Sequence, residues 1–140
     1  MSRNRKSAKR AGADMETATA SYLAWGLDDP RVERRHLSGS QDRGDINGIM
    51  HDQHRVVIEC KNTARMDIPK HLDQAQKEAM HDGATFWAVV QKRRGIGIDS
   101  RETVGQQLVY MTLEQYALLL NHGQPLGPDQ DIEDEREDDD

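Results

Sequence analysis

The sequence predicts one α/β domain in which helices flank a central mixed β-sheet. Residues 55–61 and 85–91 are short runs rich in β-branched and other apolar residues, and such runs are typical of strands. Longer segments around them carry apolar residues at helical spacing, which indicates amphipathic helices. A chain of 140 residues has the size of a single domain, and its apolar content of 35% supports a modest core.

The first helix is predicted over residues 11–25, because its apolar side chains recur at helical spacing and form one stripe. The stripe consists of Met15, Ala18, Tyr22 and Trp25. Gly26 ends the helix, and a turn leads to a strand that is expected over residues 32–38. Small and polar residues follow over 38–44, which is typical of a loop.

The second long helix is predicted over residues 67–81. Asp67 suits the position before the first turn, and Pro69 suits the first turn itself. Its buried stripe is expected to contain Ile68, Leu72, Ala75 and Ala79. Residues 85–91 are apolar on both faces, which favours a central strand. Residues 98–106 are predicted to be loose.

The last predicted elements are a strand over residues 107–111 and a helix that begins after Thr112. Gln115 stands three residues after Thr112, which is the position of a capping box. The residues expected to point inward are Leu113, Tyr116, Ala117 and Leu120. Leu118 and Leu119 are expected on the outside, where they favour a contact with a second copy of the chain.

Charge is distributed unevenly along the chain, whose formal net charge is −6. Residues 129–140 hold nine acids and one arginine, so the remaining residues carry a net charge of +2. The chain therefore divides into a disordered basic arm (1–9), a folded domain (10–123) and a disordered acidic tail (124–140). A weakly basic body is compatible with a nucleic-acid partner, although the charge of the whole chain is not.

Several classes of protein are excluded by what the sequence lacks. No run of eighteen apolar residues is present, so no membrane span is expected. The basic N-terminal segment lacks the apolar stretch of a secretory signal. Cys60 is the single cysteine; it excludes an internal disulfide, fits the reducing cytoplasm and is expected to be a small buried apolar residue. No phosphate-binding glycine motif is present, so no nucleotide cofactor is expected.

A predicted hairpin carries the residues that suggest chemistry. Its second strand, residues 55–61, places Glu59 and Lys61 on one face, because side chains alternate along a strand. The opposite, core-facing side of that strand carries Val56, Ile58 and Cys60. The first strand covers five residues from Asp45, and the turn is predicted at residues 51–54. Such a hairpin brings Asp45 beside Glu59.

Two carboxylates and one ammonium at a single point suit metal-assisted hydrolysis of phosphodiesters. Mg²⁺ prefers oxygen ligands and commonly uses one or two protein carboxylates, which leaves room for water and phosphate. Such an ion polarises a phosphoryl oxygen and activates water, and a nearby lysine positions that water or offsets the developing charge. The alternative for the same residues is a surface hairpin with an ordinary glutamate–lysine pair.

The arrangement resembles the signature of the PD-(D/E)XK nucleases: Asp45, then a hairpin, then Ile58-Glu59-Cys60-Lys61. Within that superfamily the chain is most similar to the Holliday junction resolvases of archaea and phages. Three further features match that family. They are a first helix that carries an acid, a polar loop before Asp45, and a helix followed by an apolar strand after Lys61-Asn62. The resemblance covers residues 9–121, and it departs at Gly44, where the superfamily motif has proline.

The resemblance implies a restriction-endonuclease-like fold and a Mg²⁺-dependent, structure-selective endonuclease, with Mn²⁺ able to substitute. Its substrate would be a four-way (Holliday) DNA junction, which a homodimer resolves by paired symmetric nicks. A two-fold protein matches a two-fold junction. The location would be the cytoplasm, or the host cytoplasm if a phage encodes the chain.

The resemblance also assigns roles to single residues. The implied catalytic residues are Glu16, Asp45, Glu59 and Lys61. The implied metal ligands are Asp45, Glu59, the backbone carbonyl of Cys60, and Glu16. Lys61 would position or activate the attacking water, and Gln74 is an auxiliary candidate. Asp14 competes with Glu16 for its role, as Asp42 does with Asp45.

Phosphate contacts are expected from basic residues in several parts of the chain. They are Arg10, Arg34, Arg35, Arg43, Lys92, Arg93 and Arg94. The last three come before glycines at a strand end, which is a pattern of phosphate-binding loops. Recognition would depend on phosphates and shape. The alternatives are another PD-(D/E)XK nuclease of repair or recombination, acting on duplex or branched DNA, or a non-catalytic DNA-binding protein of the same fold.

Overall fold

In the computed structural model, which describes residues 5–35 and 44–128, helices pack on both faces of a central four-stranded sheet. The elements in chain order are α1 (Arg5–Gly26), β1 (Glu33–Arg34), β2 (Ile46–Asn47), β3 (Met50–His51), β4 (His54–Lys61), α2 (Ile68–Asp82), β5 (Phe86–Gln91), α3 (Arg101–Val104), β6 (Leu108–Tyr110) and α4 (Leu113–Leu120). The predicted α/β class is confirmed. Arg43, Asp42 and the predicted acidic tail from residue 129 lie outside the described residues.

The central sheet is mixed and has the strand order β3-β4-β5-β6. β4 and β5 are parallel, with Glu59 opposite Val89 and Lys61 opposite Gln91, whereas the two outer pairs are antiparallel. α2 lies in the connection between β4 and β5, because parallel strands need a crossover. All six residues of β5 are buried, which confirms the predicted central strand.

Apolar packing covers both faces of the sheet. The core on the α1 side contains Met15, Ala20, Val32, Ile46, Ile58, Cys60, Ala88 and Val90. The core on the α2 side contains Val57, Ala75, Ala79, Trp87 and Val89. The alternation predicted for β4 is confirmed, but its second face is buried as well, because helices cover both sides of a parallel pair. Cys60 is buried, as expected for a small apolar residue, and this burial raises the pKa of its thiol.

The hairpin that leads into β4 forms, with a tighter turn than predicted. Its turn is Asp52-Gln53, and both residues have positive φ, at 48° and 70°. The first strand of the hairpin is interrupted at Gly48, where a Cβ atom would collide with the backbone of the segment before β1. The five residues from Asp45 are therefore divided between β2, which pairs with β1, and a segment that leads into β3.

The first helix is longer than predicted, and its apolar stripe differs. α1 begins at Arg5, so residues 5–9, expected in a disordered arm, are helical and exposed. Met15 is fully buried as predicted. Trp25 is 52% exposed: its ring lies tilted against that of Tyr22, and the guanidinium of Arg101 lies over it, 4.2 Å from the ring centre.

The second long helix follows the predicted signals closely. The Asp67 side chain accepts a hydrogen bond from the backbone N–H of Lys70 at 3.3 Å and so caps α2. Gly83 ends the helix in the left-handed region, with φ of 64°. Ala75 is buried with Ala79, whereas Ile68 in the first turn is exposed.

The last helix is capped as predicted, although its glutamine has a different role. The Thr112 hydroxyl accepts a hydrogen bond from the backbone N–H of Gln115 at 3.1 Å. The side chain of Gln115 does not return to complete a capping box. It is buried, accepts a hydrogen bond from Trp87 N at 3.0 Å and donates one to Thr85 O at 3.3 Å. Gln115 therefore ties α4 to the start of β5.

The inward stripe predicted for α4 is wrong. Leu113, Tyr116 and Leu120 are 82%, 50% and 63% exposed. Because Gln115 occupies the face that contacts the sheet, these three side chains turn toward solvent. The half-buried residues are Ala117, Leu118 and Leu119.

Residues 98–106, predicted to be loose, contain the short helix α3. The Ser100 hydroxyl caps it by accepting a hydrogen bond from the backbone N–H of Thr103 at 3.2 Å. α3 packs against α1. Over residues 5–35 and 44–128, no helix has the length and apolar content needed to cross a membrane.

Candidate active site

Glu59 and Lys61 form a buried ion pair at the carboxyl end of β4. Lys61 Nζ lies 2.9 Å from Glu59 Oε1, and the two side chains are 17% and 5% exposed. Lys61 Nζ also donates a hydrogen bond to Gln74 Oε1 on α2 at 2.7 Å. The strand alternation that predicted a shared face is confirmed, and the auxiliary candidate Gln74 lies in the same cluster.

Asp45 is held against β4 by two backbone hydrogen bonds. Its N–H donates to the carbonyl of Ile58 at 3.0 Å. Its Oδ2 accepts a hydrogen bond from the N–H of Cys60 at 2.7 Å. Asp45 therefore lies beside the strand segment that carries Glu59, as the predicted hairpin requires.

The carboxyl of Asp45 is strongly perturbed by its surroundings. Burial, followed by the negative charge of Glu59, raises its pKa from 3.8 to about 8. The N–H of Cys60 opposes this rise, and Glu16 adds to it through its charge and a hydrogen bond. Carboxylates gathered in a poorly solvated place disfavour ionisation unless a cation compensates them.

Glu16 reaches the same place from α1. Its Oε2 accepts a hydrogen bond from Arg34 Nε at 2.9 Å. Glu16 is half-buried and adds to the raised pKa of Asp45, whereas the competing residue Asp14 is exposed. The place of Glu16 in the site, including its role as a ligand, stays a prediction.

Asp45 and Glu59 supply carboxylate oxygens, the kind of donor that a hard divalent cation prefers. Glu59 Oε2 is buried and has no hydrogen-bond partner among the described residues. A buried oxygen without a donor costs free energy that a metal ion would offset. No group of three or more His, Cys, Asp or Glu side chains in the described part of the chain forms a ready metal site. Mg²⁺ commonly needs only one or two protein carboxylates, with water filling the other positions.

The sequence pattern did not reveal three buried polar residues on α2, which are His71, Glu78 and Asp82. Glu78 is 2% exposed, and its Oε1 accepts a hydrogen bond from Gln74 Nε2 at 3.2 Å. His71 is also buried, and its Nδ1 lies 2.9 Å from the hydroxyl of Tyr110. Burial, followed by the charge of Lys61, lowers the pKa of His71. The available signal was helical spacing, which places residues 71, 74 and 78 on one face of α2.

The predicted phosphate-binding arginines near β1 have internal partners. Arg34 binds Glu16, as described above. Arg35 donates hydrogen bonds to both carboxylate oxygens of Asp82 at 3.4 Å and to Asn47 Oδ1 at 3.1 Å. These contacts make both arginines partners of carboxylates within the fold, and their contact with DNA stays a prediction.

The other predicted basic residues lie on the surface. Arg10 is exposed on α1. Lys92, Arg93 and Arg94 follow β5 and line a groove of about 570 Å³. The groove also contains Asn62 and its neighbours, which directly follow β4 and Lys61. The basic loop and the carboxylate cluster therefore lie at the same edge of the sheet.

Comparisons of the chain with models of protein families, with curated proteins and with solved structures found no match. The resemblance to PD-(D/E)XK nucleases therefore rests on the sequence motif. The geometry adds the clustering of Asp45, Glu59 and Lys61.

The raised pKa of Asp45 predicts a pH dependence of stability in the metal-free protein. Between about pH 4 and pH 8 the folded protein keeps a proton that the unfolded chain has released, so stability falls as pH rises through this window. In Asp45→Asn this contribution is absent. We expect the two proteins to be similarly stable near pH 4 and the variant to become more stable than the wild type toward pH 8, by at most about 1.4 kcal/mol per pH unit.

Urea unfolding with a chelator at several pH values measures this difference. Asp14→Asn, at an exposed position on α1, is the matched control and should follow the wild type. If the free energies of unfolding of the wild type and Asp45→Asn changed with pH in the same way, the raised pKa of Asp45 would be contradicted.

Proposed function

We propose that the chain is a metal-dependent endonuclease of restriction-endonuclease-like fold that resolves four-way DNA junctions by paired symmetric nicks. The observation that carries the proposal is the gathering of Asp45 and Glu59 beside Lys61 at the carboxyl end of β4, with Glu59 Oε2 buried and without a partner in the described residues. This is the constellation that the PD-(D/E)XK resemblance implies.

A purely structural role explains these residues poorly. Buried carboxylates near one another are costly, and apolar residues of similar size would pack the same space without that cost. The Glu59–Lys61 pair accounts for one charge of each sign, and Glu16 is paired with Arg34, whereas Asp45 forms no salt bridge among the described residues. A cation-binding site explains why this further carboxyl lies beside the Glu59–Lys61 pair.

In the proposed hydrolysis of a phosphodiester bond, the carboxylates would bind the metal ion and Lys61 would act on the water or the phosphate. Asp45 and Glu59 would hold Mg²⁺, or Mn²⁺ in its place, with Glu16 and the carbonyl of Cys60 as further ligands. When bound, the ion polarises the phosphoryl oxygen and makes water more acidic. The Lys61 ammonium, held by Glu59 and Gln74, donates a hydrogen bond to the attacking water or to the charged phosphate oxygens.

The DNA backbone would pass over the basic groove beside this cluster. Ligands of open α/β sheets bind outside the carboxyl ends of the parallel strands, which is where the groove lies. Lys92, Arg93 and Arg94 contribute three positive charges there. Contacts of this kind bind phosphates without reading bases, as recognition of a junction by its shape requires.

A homodimer belongs to the same proposal, because paired nicks need two sites related by a two-fold axis. The described residues include exposed apolar side chains on β6 and α4 that a second copy would cover. They are Val109, Leu113, Tyr116 and Leu120. They replace Leu118 and Leu119, which are half-buried, as the candidates for this contact.

The test is cleavage of a labelled synthetic four-way junction beside a linear duplex of the same sequence, with Mg²⁺ or with a chelator. We expect symmetric paired nicks in the junction, in the presence of Mg²⁺ only. Equal cutting of the linear duplex would support another nuclease of the superfamily instead of a resolvase. Tight junction binding without cutting would support the non-catalytic DNA-binding protein.

A further inference from the structure

We propose that Glu78 is a positioning residue for Lys61 and acts through Gln74 on the same helix. Three side chains form a continuous chain of hydrogen bonds. Lys61 Nζ donates to Gln74 Oε1 at 2.7 Å, and Gln74 Nε2 donates to Glu78 Oε1 at 3.2 Å. The effect on catalysis rests on the proposed function, whereas the effect on the position of Lys61 does not.

The donor and acceptor chemistry explains why Glu78 is needed. An ammonium only donates hydrogen bonds, so Gln74 must present its oxygen to Lys61. A glutamine amide has a donor end and an acceptor end, and it can rotate to exchange them. A carboxylate only accepts, so Glu78 binds the NH₂ end of Gln74 and selects the orientation in which the oxygen faces Lys61.

The location of Glu78 strengthens this selection. Residues four apart on a helix lie on the same face, so the side chains of Gln74 and Glu78 are neighbours on α2. Glu78 is 2% exposed, and a hydrogen bond in a poorly solvated place is stronger than the same bond in water. A surface pair at this spacing would add little, but this one lies between α2 and the sheet.

As a result, the N–H groups of the Lys61 ammonium are held in a defined orientation. Lys61 Nζ has three N–H groups, of which Glu59 Oε1 and Gln74 Oε1 occupy two. The third is left for water or a phosphate oxygen. Without Glu78 the amide of Gln74 can turn its NH₂ group toward Lys61, and the ammonium then loses one of its two acceptors.

The experiment compares Glu78→Met, Glu78→Gln, Gln74→Met and the double variant Gln74→Met/Glu78→Met. We expect Glu78→Met to lower the single-turnover rate of junction cleavage about ten-fold, with the junction Kd unchanged. Glu78→Gln can turn its own NH₂ group toward Gln74 and so no longer selects one orientation of that amide, and its rate should lie between those of the wild type and Glu78→Met. In the Gln74→Met background, Glu78→Met should cause no further loss, because the two residues act in series.

Two results from the same series would overturn the proposal. Independent losses that multiply in the double variant would mean that Glu78 does not act through Gln74. A Glu78→Gln rate equal to that of the wild type would mean that an acceptor-only group at this position is not what orients Gln74. Thermal melts of each variant establish that it is folded before its rate is compared.

A second readout does not depend on DNA cleavage. In the wild type the Lys61 ammonium should give a ¹H–¹⁵N NMR signal protected from solvent exchange, and this signal should broaden in Glu78→Met and, to a smaller extent, in Glu78→Gln. If the wild type cuts no DNA but the signal behaves in this way, the proposed function fails and the positioning stands. An unchanged signal in folded Glu78→Met overturns the positioning. Should Glu78→Met not fold, an unchanged signal in Glu78→Gln overturns it instead.

Discussion

Glu59→Gln should cleave the four-way junction about a thousand-fold more slowly than the wild type, with little change in junction affinity. The substitution keeps the shape of the side chain and an oxygen for Lys61, but it removes the negative charge that would hold the cation. A metal ion contributes several kcal/mol of stabilisation to the charged transition state, and each 1.36 kcal/mol is worth about ten-fold in rate. Single-turnover cleavage and a binding titration, both with Mg²⁺, separate the two quantities.

Glu114→Gln is the matched control for this variant, because Glu114 is an exposed glutamate in the first turn of α4. It removes the same charge from the same type of residue and should retain the wild-type rate. Cleavage by Glu59→Gln at the wild-type rate would show that the Glu59 carboxylate is not needed for catalysis. Loss of junction affinity together with the rate would instead indicate a role in binding.

Lys61→Met should lose cleavage and also stability, by about 3 kcal/mol at neutral pH without metal. Removing one partner of a buried ion pair leaves the other charge without compensation, which is among the most costly changes in a protein interior. The Glu59 side chain is 5% exposed and its Oε2 already lacks a partner among the described residues, so it has little access to water. Urea unfolding in the presence of a chelator measures the loss.

The double variant Glu59→Gln/Lys61→Met separates stability from activity. It should regain most of the stability that Lys61→Met loses, because no unpaired charge remains, while cleavage stays absent. Lys77→Met, at an exposed position on α2, should change stability by less than about 0.5 kcal/mol. If Lys61→Met proved as stable as the wild type, the buried pair with Glu59 would not exist in solution.

The sequence was most informative where a signal acts over a few residues. β-branched residues predicted β4 and β5, and Asp67 with Pro69 predicted the start of α2. Period-two alternation correctly put Glu59 and Lys61 on one face of β4. These signals depend on backbone propensity, capping and strand geometry, which neighbouring residues determine.

Errors arose where a residue's environment depends on distant parts of the chain. Helical spacing made Leu113 an inward residue of α4, but the contact of Gln115 with Trp87 turned the other face of that helix to the sheet. Trp25 was likewise placed in the apolar stripe of the first helix, but it lies at the surface beneath the guanidinium of Arg101. A polar side chain that bonds a strand backbone can outweigh the apolar face of a short helix.

The sequence by itself determined the α/β class and the strand that carries Glu59 and Lys61, together with the hairpin that returns Asp45 to it. Only the tertiary structure decided the partners of these groups: Gln74 and Glu78 from α2, and Glu16 from α1. The physical reason is the reach of the interactions. Strand alternation and turn geometry operate within one element, whereas the charge and hydrogen-bond environment of a buried group depends on which helices pack across both faces of the sheet.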